Sequence, residues 1–298
     1  TINLINASMQ WLQKKVSTIL AKIKARNGMK IIYLGDVVGK SGRTAVMKHL
    51  PMLREKYNFD FLILNGENAA HGFGITPRIC EEFFEAGINV ITLGNHAWDK
   101  REILNYIQKE NRLIRPLNYP ENTPGKGSEL YKTRSGDKIF VAQVMGCLFM
   151  KPLENPFNEV EKCLSKITLG VDVNCIILDI HAEATSEKMA MGQYLDGRVS
   201  MVIGSHSHIP TADTQILPGG TAYQTDAGMC GDYDSVIGMK KEPSVNRFVQ
   251  KLDNQRLEPA EGEATVCGVL LETDDISGLA VRVHAIRIGG RLPATKTA

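Results

Sequence analysis

From Met29 onward, short apolar runs alternate with amphipathic segments, and almost every run stops at a polar residue able to bind a metal ion. The runs are Ile31–Leu34, Phe61–Leu64, Val90–Leu93, Ile139–Val144, Cys175–Ile180 and Met201–Ile203. Their length and β-branched content predict buried strands. Amphipathic segments over Arg43–Tyr57 and Pro77–Ala86 separate the first three, which gives βαβαβ and a largely parallel sheet with helices on its faces. In such sheets ligands bind beyond the carboxyl ends of the strands. There the chain places Gly35-Asp36, Asn65-Gly66-Glu67-Asn68, Gly94-Asn95-His96, His181 and Gly204-Ser205-His206-Ser207-His208.

The second half carries hairpin signals. Gly219-Gly220 precedes Thr221–Thr225, and Ser135-Gly136-Asp137 precedes Ile139. Val266–Glu272 and Leu279–Ile288 flank the turn Asp274–Gly278 as an antiparallel pair. The expected organisation is a basic accessory extension over residues 1–28, one α/β domain with two packed sheets over 29–290, and a tail over 291–298 that frays from Pro293.

Charge supports the first boundary. The 298 residues carry 35 Lys+Arg against 33 Asp+Glu, a net +2. Residues 1–28 hold Lys14, Lys15, Lys22, Lys24 and Arg26 and no acid, so they carry +5 and the remainder −3. Leu12, Val16, Ile19, Leu20 and Ile23 recur there at helical spacing, which suits a surface-lying or targeting helix as well as a packed accessory one. The balance excludes a strongly basic nucleic-acid coat, and no stable nucleic-acid complex is expected. No apolar run reaches the ~20 residues of a membrane span. Six cysteines without a C-x-x-C pair read as reduced thiols and suggest a cytoplasmic protein.

Oxygen and imidazole donors without thiolate suit Mn, Fe or Zn better than Ca or Mg alone. A lone Asp after a strand is usually a turn or cap residue; the coincidence at five strand ends is what points to a polynuclear site. Gly35-Asp-Val-Val-Gly39-Lys40-Ser41 superficially resembles a phosphate loop, but three residues separate its glycines where four are required, and Asp36 would oppose a phosphate. The Gly39–Gly42 amides are left as a candidate anion contact at a helix start.

Gly-Asp-x-x-Gly, Gly-Asn-His and Gly-x-His-x-His in this order resemble the calcineurin-type metallophosphoesterase superfamily. Asn65–Gly72, Gly94–Asp99, Asp179–Lys188, Ser205–His208 with Thr211-Ala212-Asp213, and Gly228-Met229 with Tyr233–Ser235 are similar to its YmdB-type branch, assigned as 2′,3′-cyclic-nucleotide phosphodiesterases. Val38 stands where most of the superfamily has His, and Glu67 where most has Asp; both departures belong to the branch. The resemblance implies a four-layer α/β/β/α sandwich, two mixed sheets flanked by helices. It implies two transition metal ions, Fe or Mn first and Zn as a further candidate. Asp36, Glu67, Asn68 and His208 would hold one; Glu67, Asn95, His181 and His206 the other, with Glu67 bridging. A hydroxide between the metals would attack phosphorus, with His96 as general acid oriented by Asp99, and His71 as a candidate substrate contact. The implied substrate is a small phosphate ester, a cyclic nucleotide in particular. A phosphomonoesterase with the same site and a non-hydrolytic nucleotide-binding regulator are the alternatives; a homo-oligomer is compatible with either.

Overall fold

The computed structural model describes residues 28–251 and 256–295. The expected extension over 1–28 lies, apart from Gly28, outside the described residues. In chain order the first half reads β1 (Lys30–Leu34), β2 (Asp36–Val37), α1 (Gly39–Tyr57), β3 (Phe61–Asn65), α2 (Pro77–Glu85), β4 (Val90–Thr92), α3 (Ile103–Tyr106) and β5 (Leu113–Ile114). The second half reads β6 (Ser128–Lys132), β7 (Lys138–Met145), α4 (Pro156–Leu164), β8 (Cys175–His181), α5 (Thr185–Tyr194), β9 (Met201–Ser205), β10 (Gln215–Ile216), β11 (Ala222–Gln224), β12 (Met229–Asp232), α6 (Lys241–Val249), β13 (Ala264–Thr273) and β14 (Ala280–Ile288).

Two sheets result. One runs β2-β12-β13-β1-β3-β4-β5, with β14 paired to β13; the other runs β10-β11-β9-β8-β7-β6. β1, β3 and β4 are parallel, as the βαβαβ pattern predicts, while β13 returns antiparallel beside β1. All three expected hairpins form: β6–β7, β10–β11 and β13–β14.

Alternation along the strands builds the layers. On β1, Ile32 and Leu34 pack with Val46, Leu50 and Leu53 of α1 and with Cys80 and Phe83 of α2. Ile31 and Tyr33 point the other way, against Cys175 and Ile177 of β8 and Ile203 of β9. The far face of the second sheet, through Ile176, Leu178 and Ile180, meets Val160 and Leu164 of α4 and Met191 of α5. The architecture is therefore the expected α/β/β/α sandwich. The central strands β1, β3, β4, β8 and β9 are buried on both faces, which is why the sequence shows continuous apolar runs rather than alternation there.

Local chemistry starts the helices. Thr76 accepts from the Ile79 amide ahead of Pro77, and Asn155 accepts from the amides of Phe157 and Asn158 ahead of Pro156. α1 begins four residues before the expected Arg43. Its first turn buries Gly42, where a Cβ would meet the Cys230 carbonyl at 2.1 Å, so apolar periodicity is invisible there. Within the tail expected to fray from Pro293, Thr295 exchanges two hydrogen bonds with Arg287, and residues 296–298 lie outside the described residues. Among the described residues no helix is long and apolar enough to cross a membrane, and all six cysteines are free thiols.

Candidate metal centre

The strand ends of both sheets deliver their polar residues to one cleft. Around His181 Nε2 lie Asn95 Oδ1 at 2.9 Å, Glu67 Oε1 at 3.1 Å and His206 Nδ1 at 3.1 Å. Glu67, His181 and His206 each offer an atom within 4.8 Å of the others. Asp36 Oδ1 sits 4.0 Å from His181 Nδ1 and 3.9 Å from His208 Nε2, which joins a second group to the first. Asp36, Glu67, Asn68, His181 and His208 are all buried.

Five of the donors are oriented by a contact made elsewhere on the side chain. Asn68 Nδ2 donates to the Gly72 carbonyl, which leaves Oδ1 forward. His208 Nδ1 donates to the Ile237 carbonyl at 2.7 Å, so Nε2 carries the lone pair toward Asp36. Glu183 Oε2 lies 3.1 Å from His206 Nε2 and turns Nδ1 inward. Glu67 Oε2 accepts from the His96 amide at 3.0 Å, which directs Oε1 at His181. Register places Ser205 beside His181 on adjacent strands, where its hydroxyl meets Nδ1 at 2.9 Å.

The turn carrying the paired histidines is strained. His206 and His208 take φ of 94° and 67°, conformations that cost a non-glycine residue about 1–3 kcal/mol each. Asp226 offsets this by accepting from the Ser207 amide and hydroxyl with one oxygen and from the Gly228 amide with the other. Lys188, fully buried on α5, donates to the same carboxylate at 2.8 Å. Gly94 sets the other wall: a Cβ there would lie 2.3 Å from both Glu67 Oε2 and His181 Nε2.

The donor set fits metal ions. Asp36 Oδ1 and Asn68 Oδ1 are buried acceptors without a hydrogen-bond partner, and Glu67 Oε1 meets His181 only as an ion pair. Leaving a buried acceptor unsatisfied costs about 1–3 kcal/mol, so two or three in one cleft indicate atoms placed for a ligand. Without metal, electrostatics hold a proton in the cluster. Burial disfavours the charged form of His181, yet the carboxylates of Glu67, Asp36 and Asp179 raise it to about 9. Burial also pushes Glu67 up, but His181 and the His96 amide outweigh it and hold it well below the carboxylate range. Burial lifts Asp36 to about 6. Burial and the neighbouring His181 charge lower His206 to about 3.

All seven sequence-predicted donors therefore line the cleft. His96 stands at its rim, its Nδ1 2.8 Å from Asp99 Oδ2 and its ring edge-on to Phe73 at 5.0 Å. His71 is exposed and outside the converging atoms; it lines a cavity of about 320 Å³ with Lys240, Arg256 and Glu258. Two of the Gly39–Gly42 amides are engaged within the protein. Gly39 N donates to the Asn68 carbonyl and Gly42 N to the Val38 carbonyl, so the turn is tied to the site's own loop. Sequence reasoning quoted Asp179 and Lys188 only as the ends of a matching stretch, gave neither a role, and passed over Asp226. The signal for Asp179 was present, a carboxylate inside the apolar run Cys175–Ile180; Lys188 and Asp226 gave none.

Comparison with known proteins follows the same residues. A family model described as YmdB-like protein matches residues 32–286. The 2′,3′-cyclic-nucleotide 2′-phosphodiesterase of Bacillus subtilis (strain 168) is 45% identical over 260 residues, 87% of this chain and 97% of that protein. A putative phosphatase/phosphodiesterase of Mycoplasma pneumoniae is 38% identical, covering 88% of this chain and 94% of that one. Among solved structures, a Thermus thermophilus protein described as hypothetical superposes with a TM-score of 0.82 at 40% identity, covering 88% of this chain and 100% of its own. A novel phosphatase from Mycoplasma pneumoniae gives 0.82 at 37% identity, with 88% and 94% coverage.

Proposed function

Since this chain belongs to the YmdB-like family, we propose that it is a metal-dependent phosphoric ester hydrolase acting on 2′,3′-cyclic nucleotides. The observation that carries the metal dependence is the group of inward-facing, unsatisfied buried oxygens beside His181 Nε2. The name of the Bacillus subtilis relative supports the substrate.

In this reading Glu67, Asn95, His181 and His206 would hold one ion and Asp36, Asn68, Glu67 and His208 a second, Fe or Mn in preference to Zn. The chemistry such ions supply is Lewis-acid polarisation of the phosphate and acidification of a water nucleophile. The chain's own residues do the rest. Buried Asp36 and Glu67 bring two carboxylates to a cleft where neither is exposed to bulk solvent, which strengthens their attraction for cations. His96 acts at the leaving oxygen. Asp99 accepts from Nδ1–H, Phe73 restrains the ring, and Nε2 is the atom that passes a proton to the departing ribose oxygen. His71, three residues past Asn68, contacts the part of the substrate that extends into its cavity.

The test pairs elemental analysis of protein purified without chelator with hydrolysis of 2′,3′-cyclic AMP. About two transition metal ions per chain, cleavage of the bond to O2′ to leave the 3′-monophosphate, and loss of turnover on chelation are expected. Turnover of phosphomonoesters in preference to the cyclic diester moves the protein to the phosphatase reading. Tight nucleotide binding without hydrolysis moves it to a regulatory one.

A further inference from the structure

A further buried carboxylate, outside the converging donors, stands one hydroxyl away from His181. Asp179 lies on β8 in the layer between the two sheets and is fully buried. Its Oδ2 accepts from the Tyr33 hydroxyl at 2.7 Å, the Thr92 hydroxyl at 2.7 Å and Gln143 Nε2 at 2.9 Å. Its Oδ1 accepts from the Ser205 hydroxyl at 2.7 Å. Tyr33 and Thr92 belong to the first sheet, Gln143 and Ser205 to the second.

A serine hydroxyl has one proton. Ser205 gives its proton to Asp179, so toward His181 Nδ1, 2.9 Å away, its oxygen can only accept. Nδ1 must then carry hydrogen. Once the ring is neutral, the lone pair is on Nε2, the atom that Asn95 Oδ1 and Glu67 Oε1 surround. We infer that Asp179 is a positioning residue that works through Ser205 to fix His181 in its metal-ligating tautomer. This rests on the metal-centre reading above.

Asp179→Asn is informative because the direction of its amide is decided in advance. An NH2 at the Oδ2 position would oppose three donors; at the Oδ1 position it opposes one. The amide therefore turns toward Ser205, Ser205 accepts from it, and the Ser205 proton swings to His181 Nδ1. The ring hydrogen then moves to Nε2 and blocks ligation there. The logic parallels the loss of the correct imidazole tautomer in a serine protease whose aspartate is replaced by asparagine.

The experiment uses Zn²⁺ as probe, with calorimetric titration of full-length protein and long-range proton–nitrogen spectra of the metal-free form with the His181 ring neutral to read its tautomer. The expected result is a ~10–100-fold loss of Zn²⁺ affinity in Asp179→Asn, with a proton on Nε2. Ser205→Ala breaks the link without disturbing the other three donors and is expected to weaken binding about tenfold, while Ser205→Thr keeps a hydroxyl and restores it. Tyr33→Phe and Thr92→Val each remove a donor from Asp179 but leave the Ser205 link, and should stay within about threefold of wild type. If Asp179→Asn fails to fold, the Ser205 pair decides. Wild-type affinity in both Asp179→Asn and Ser205→Ala overturns the inference, as does a loss in all the variants that merely tracks their thermal stability. Wild-type protein that binds no Zn²⁺ overturns the metal-centre reading and this inference with it.

Discussion

The two halves of the cleft solve one electrostatic problem differently. In the half built on Glu67, Asn95, His181 and His206, every donor is within 3.1 Å of His181 Nε2. A proton on His181 satisfies that half internally. In the half built on Asp36, Asn68 and His208, the nearest imidazole–carboxylate approach is 3.9 Å, and two oxygens have no partner. That half is held by bonds at its back, from Asn68 to Gly72 and from His208 to Ile237. Tight clustering is cheap where an imidazolium can sit among carboxylates, and a burial-raised Asp36 makes no such pair. The first half is thus a site that a metal takes from a proton, the second a site that a metal completes.

In the proposed reading Glu67 would serve both halves, so it gives the largest predicted effect. Glu67→Gln removes the charge that balances His181 and the carboxylate expected between the ions. Metal content is expected to fall from about two per chain to below one, and turnover by roughly a thousandfold or more. Elemental analysis with the cyclic-nucleotide assay measures both. A variant with normal metal content and full activity would break the comparison at its shared member.

His96→Ala comes next and acts on neither half. Its ring touches Phe73 and Asp99, and only its backbone amide reaches Glu67. The amide survives the substitution, so both ions should be retained while turnover of the cyclic nucleotide falls roughly a hundredfold. A nitrophenyl diester, whose leaving group needs no proton, should show a much smaller loss. Equal losses on both substrates would argue that His96 supports Glu67 rather than protonating the leaving oxygen.

These contrasts track what the sequence displays. The layered fold was legible because the inner strands are buried on both faces and read as unbroken apolar runs. The donors were legible because each sits where a run stops. What holds the donors was not. α5 escaped notice because the face it buries carries Glu187 and Lys188 beside Met191, so it has no apolar stripe. Glu187 accepts from the Cys147 and Leu148 amides, and Lys188 pairs with Asp226, 38 residues away. Partners so distant leave no spacing to read. The start of α1 was hidden by glycines chosen for close backbone approach. The Gly39 amide looked free only because its partner, the Asn68 carbonyl, lies on another strand's loop.

Acidity separates the halves most finely. In the first, His181 is raised to about 9, because the surrounding carboxylates overcome the burial that opposes its charge. A metal must displace that proton, so affinity there should rise about tenfold per pH unit between about pH 7 and 9, with one proton released per ion. In the second, burial lifts Asp36 only to about 6, so its proton competes below that value and the affinity should be nearly level above it. The signs follow from the species bound: each ligand binds metal in its deprotonated form, and the group with the higher pKa resists longer as pH rises. Calorimetric titration with Zn²⁺ near pH 7 and near pH 9, in buffers of different ionisation enthalpy, resolves the two steps. Parallel pH slopes for both would mean that the halves share one proton and titrate as a single unit, and the distinction drawn from their geometry would fall.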